Sequence, residues 1–75
     1  MNIKINYIAD LRLRQVEVRT GTTVFLVDVE HFQRITEADI ESIEGRRGTL
    51  IIDSNLYISL RKEATHVGRV RGTEA

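Results

Sequence analysis

Asp28, Glu30 and His31 are the residues in this chain best suited by type to metal binding or general acid–base work. Their spacing argues against it. In an extended segment Asp28 and Glu30 point to one side and His31 to the other, so the three do not converge on one ion or substrate. A solvated strand end is the simpler reading. Cysteine is absent, which excludes disulfides and thiolate metal sites. His31 and His66 alone are too few for a zinc site. Phosphate-loop, dinucleotide and HExxH patterns are missing. No cofactor is expected, and the chain does not read as an enzyme.

The remaining chemistry is charge. Gly45-Arg46-Arg47-Gly48 could cradle a phosphate or a carboxylate, although a helix stop and a turn account for the same residues. Arg12, Arg14, Arg61 and Lys62 would form one basic face if their strands were neighbours. With Arg69 and Arg71 on a C-terminal arm they would bind nucleic acid by neutralising phosphates. The net charge of zero and the few aromatics (Tyr7, Phe25, Phe32 and Tyr57) weaken that reading. Tyr57 falls on the polar side of its expected strand, as a stacking or interface residue would.

Charge is also segregated. Residues 1–27 carry four basic side chains against two acidic. Residues 28–45 carry one against six, and residues 46–75 carry six against three. Nine of the eleven basic residues are Arg, which prefers bidentate contacts to carboxylate or phosphate. The acidic stretch coincides with an expected helix over 37–44. Glu37, Glu41 and Glu44 would present an acidic surface beside Arg46 and Arg47, fit for a basic partner.

The elements that must position these groups follow from periodicity and punctuation. Ile3, Ile5 and Tyr7 alternate with polar residues, as in a half-buried strand. Ala9-Asp10 reads as a turn. Leu11 and Leu13 resume the alternation, but Val16 and Val18 are out of phase with them. A β-bulge near Arg14-Gln15 would explain the slip. Thr20-Gly21-Thr22 signals a hairpin. Val24–Val27 is an apolar run expected as the most buried, central strand.

Thr36 and Asp39 fit a capping box, Ile35 and Ile40 a hydrophobic staple, and Gly45 a helix stop. Ile40 and Ile43 would dock that helix on the sheet. Arg46-Arg47-Gly48 reads as a turn and Leu50-Ile51-Ile52 as a strand. Asp53-Ser54-Asn55 reads as a tight turn, with Asn55 able to take positive φ. Leu56, Ile58 and Leu60 alternate as a second hairpin arm.

The expected fold is α+β: an antiparallel sheet of about five strands in the order β-β-β-α-β-β with one short helix. A small OB-like five-stranded barrel shares that order. Residues 1–61 form the domain, and 62–75 form a polar, basic tail or arm. Seventy-five residues bury a modest core, so self-association is an expected reinforcement. The start, Met1 to Ile5, lacks an apolar leader and no run is long enough to span a membrane. The expected compartment is the cytoplasm, of a cell or of a virus-infected host cell. The expected function is a non-catalytic protein–protein interaction module, a small regulator or inhibitor that also forms homo-oligomers. The alternative is a nucleic-acid-binding module.

Overall fold

The computed structural model describes residues 1–42, 46–64 and 66–69. Its elements run β1 (Asn2–Asp10), β2 (Gln15–Thr20), β3 (Thr23–Asp28), α1 (Val29–Thr36), β4 (Arg47–Asp53), α2 (Ser54–Lys62) and β5 (His66–Arg69). The class is α+β. Every strand pairing is antiparallel, in the spatial order β4-β1-β2-β3-β5. Among the described residues the outer strands β4 and β5 do not pair with each other, so the sheet is open and not the barrel of the alternative.

The alternation in β1 carries through as expected. Ile5, Tyr7 and Ala9 are buried, while Lys4, Asn6 and Ile8 face outward. The phase slip after Arg14 has a different cause from a bulge. Residues 11–14 are not strand but the loop of a β1–β2 hairpin, which Asp10 and Gln15 close. Asp10 Oδ1 accepts from the backbone N–H of Arg12 at 3.0 Å and of Leu13 at 3.2 Å. Arg14 then takes a left-handed φ of 53°. A short carboxylate bonding its own backbone two and three residues on is a turn former. The turn therefore falls after Asp10, and Leu13 is solvent-facing.

The second hairpin lies where Thr20-Gly21-Thr22 places it. Thr20 pairs with Thr23, and Gly21 takes φ 58° in the first loop position. Glycine there is the type II′ signature, whose twist suits two-residue hairpins.

Three further expectations are corrected. The helix is at 29–36, immediately after β3, and residues 37–42, the described part of the expected 37–44 span, are not helical. Thr36 ends it: its hydroxyl donates to the Phe32 carbonyl at 2.8 Å and accepts from the Ala38 N–H. Glu37 then takes φ 61° and its N–H bonds the Gln33 carbonyl, an αL stop. Ile40 is buried, but from a turn; Ile43 and Gly45 lie outside the described residues.

The second correction concerns residues 54–62, which form α2 and not a hairpin arm. Asp53 is the helix N-cap position, and Asn55 stays out of the positive-φ region. Arg46-Arg47-Gly48 is not a turn, because β4 begins at Arg47.

The third is the place of β3. It is next to the edge strand β5, and β2 is central. Phe25 and Val27 are buried, whereas Val24 and Leu26 are half-buried on the opposite face. Residues 66–69 add β5 to β3, so part of the segment expected as an arm continues the sheet.

Both helices lie on one face. Ile5, Tyr7, Ala9, Val16, Val18, Phe25, Val27 and Ile52 come from the strands, Val29, Phe32 and Leu60 from the helices, and Ile40 from the following turn. They form one core. Burial of that apolar face sets the helices in place, since segments of eight and nine residues are not stable alone.

Candidate functional site

The expected basic strand face does not assemble. Arg12 and Arg14 sit in the β1–β2 loop, and Arg61 and Lys62 end a helix. Arg14 instead faces two carboxylates. Its Nη2 donates to Glu30 Oε2 at 2.7 Å and to Glu41 Oε2 at 3.0 Å. Its carbonyl also accepts from the Val29 N–H, the first of α1, at 3.0 Å. One loop residue thus satisfies an orphan helix donor and pins Glu30 of the first turn.

The Arg14 guanidinium, assisted by the backbone N–H of Glu30, holds the Glu30 carboxyl below the usual carboxylate range. A folded-state value below the unfolded one gives stability that is present at neutral pH. It is lost as pH falls through the folded-state value. Arg14→Ala is expected to return Glu30 upward toward an ordinary carboxylate, read by carbon-detected NMR titration of its side-chain carboxyl. An unmoved titration would show that the pair is not formed in solution.

Arg61 is also committed to structure. Its guanidinium lies 5.3 Å from the Phe25 ring centroid and 5.8 Å from that of Tyr57, and Nη1 donates to the Tyr57 hydroxyl at 3.1 Å. Tyr57 in turn meets Phe25 edge-on at 6.0 Å. Tyr57 is half-buried by these contacts. Lys62 and Arg12 are exposed. Arg69 takes the register position opposite Thr23. Arg71 lies outside the described residues.

The acidic group likewise fails to share a helix face. Glu37 caps α1 and is exposed, Glu41 is on Arg14, and Glu44 lies outside the described residues. Arg46 and Arg47 lead into β4 and are both exposed.

Asp28, Glu30 and His31 diverge, but not as the extended, solvated strand end expected: Asp28 is the N-cap of α1, and Glu30 and His31 lie within that helix. Glu30 points to Arg14, whereas His31 is buried between the helices. His31 Nδ1 lies 2.8 Å from Arg34 Nη2, and Nε2 lies 3.2 Å from the Ser59 carbonyl. A guanidinium only donates, so Nδ1 accepts and Nε2 carries the proton donated to Ser59. His31 therefore fastens α1 to α2. Among the described residues no three His, Asp or Glu side chains are grouped to hold a metal ion.

Two surfaces remain. The face of the sheet away from the helices has a shallow depression of about 290 Å³, lined by Ile8, Asp10, Leu13, Gln15, Glu17 and Leu26. The other surface is the sheet's outer edge at β4, longer with its seven residues than the opposite edge strand β5 with four. Among the described residues no strand pairs with it. Its register with β1 is unbroken from Asn2–Asp53 to Ile8–Arg47, so no bulge blunts it. Residues 48–52 carry no charge, and the chain has no proline. On this edge Ile51 is 68% exposed. The strand is legible in the sequence but its edge position is not, because strand order is set by pairings distant in sequence.

No protein-family model, no curated protein and no solved structure matches this chain. Among the described residues no helix is long and apolar enough to cross a membrane.

Proposed function

We propose that this chain is a non-catalytic protein–protein interaction module, a small regulator or inhibitor that binds by strand addition and pairs with itself. One observation supports this reading above the others: the seven-residue outer edge of β4. Natural sheets protect such edges with lysine, proline, bulges or a covering element. Between Gly48 and Ile52 this edge has none of these devices among the described residues. Its backbone groups can template another strand, and Ile51 gains cross-strand neighbours when one docks. The nucleic-acid alternative is less well supported, since Arg14 and Arg61 are engaged within the chain.

Sedimentation equilibrium tests the self-pairing. Mass is expected to rise with concentration from one chain toward two. Ile51→Lys places a charge on the exposed side of the edge and is expected to abolish that rise while leaving the circular dichroism spectrum unchanged. A constant monomer mass for the unsubstituted protein at the highest attainable concentration would overturn self-association.

A further inference from the structure

We infer that the surface β4 offers is built for β4 of a second copy, antiparallel about a two-fold axis through Leu50. This inference rests on the self-pairing proposed above and specifies its register.

The faces of β4 differ. Leu50 and Ile52 lie opposite Ile5 and Ile3 and turn toward the helices. The intervening residues Arg47, Thr49, Ile51 and Asp53 turn to the uncovered face, opposite Ile8, Asn6, Lys4 and Asn2. Two copies joined edge to edge by a two-fold axis normal to the sheet keep their helices on the same side. Residues opposed across the junction must then point to the same face, because side chains alternate along a strand. Of the registers that satisfy this, the one centred on Leu50 engages all seven residues of Arg47–Asp53.

That register also matches charge. It sets Arg47 of each copy opposite Asp53 of the other, so one cross-strand ion pair closes each end of the junction. Both side chains are exposed, and neither has an ion-pair or hydrogen-bond partner among the described residues. Between those ends Thr49 meets Ile51 of the other copy. The two Ile51 side chains become diagonal neighbours across the axis, within reach of each other. The strand is thus self-complementary: its ends are opposite in charge and its middle is uncharged. An isologous interface requires that pattern.

Charge exchange tests the register without touching the core. In R47D alone, or D53R alone, both end pairs become like-charged, and homodimerisation is expected to weaken about tenfold or more. Mixing the two substituted proteins restores opposite charges at both ends, so a heterodimer is expected at near-native strength. The double variant R47D/D53R should recover the homodimer. Sedimentation equilibrium reads the affinities, and native mass spectrometry reads the composition of the mixture. If the unsubstituted chain dimerises but each single exchange leaves its affinity unchanged, this register is wrong while self-pairing stands. Weakened single variants whose mixture does not form heterodimer would also overturn it. If the unsubstituted chain stays monomeric, the inference falls together with the reading beneath it.

Discussion

Phe32→Ala is expected to cost about 3–5 kcal/mol of folding stability, the usual loss on truncating a fully buried phenylalanine. Phe32 is completely buried, and its ring centroid lies 5.1 Å from that of Tyr7. It is the largest core side chain supplied by α1. Removing it leaves a void between helix and sheet that an eight-residue helix cannot close by sliding, because its first N–H is tied to the Arg14 carbonyl. At roughly 0.05–0.15 kcal/mol per residue, a domain of this length has about 4–11 kcal/mol in all. The substitution therefore removes a large share. Urea unfolding followed by circular dichroism measures it, with Phe32→Leu, which leaves a smaller void, expected to lose less than Phe32→Ala. A loss below about 1 kcal/mol for Phe32→Ala would show that α1 does not pack through this ring.

Phe32 also shows why the helices are hard to read from sequence. Val29, Phe32 and Ile35 recur at helical spacing directly after Asp28. That signal competes with Thr36, Asp39 and Gly45, which mimic a helix start and stop further on. Thr36 serves both patterns. In a capping box its hydroxyl would open a helix, yet here the same hydroxyl bonds the preceding turn and ends one. A hydroxyl bonds whichever backbone group lies near, so side-chain type alone cannot set direction. Burial decides: Phe32 goes into the core from the earlier helix, and Ile40 reaches the same core from a turn. Asp28 and Asp53 are parallel cases. Each ends an apolar strand at φ −67° and opens a helix with no intervening loop.

What strand periodicity reports is legible, because alternation is local. Ile5 and Tyr7 face the core, and Gly21 marks the second, two-residue hairpin. Which strand becomes an edge depends on pairings between residues far apart, such as Ile5 with Leu50. The candidate site suffers most from this. Arg12, Arg14, Arg61 and Lys62 share a face only if residues 56–60 are a strand next to the first hairpin. Arg47 is visible as a charge, but its relation to Asp53 emerges only once both are placed at the two ends of one edge strand.

The assignment of residues 54–62 yields the second large effect. Leu56, Ile58 and Leu60 alternate in sequence, and a strand would bury all three alike. The helix separates them: Leu60 is fully buried, whereas Leu56 is 36% and Ile58 55% exposed. The core-facing set of α2 is Tyr57, Leu60 and Arg61, at offsets of three and four. Leu60→Ala is accordingly expected to destabilise the domain by about 2–5 kcal/mol. Leu56→Ala and Ile58→Ala are expected to stay within about 0.5 kcal/mol of the unsubstituted protein, as exposed positions do. Alanine's better helix propensity offsets part of the small apolar burial that either truncation removes. Urea titrations of the three variants under one set of conditions give the comparison. Equal losses at all three positions would restore the strand and dissolve the α1–α2 contact through His31. A loss confined to Leu60 identifies a helix whose outer side still presents Leu56 and Ile58 to solvent, on the layer that two edge-paired copies would share.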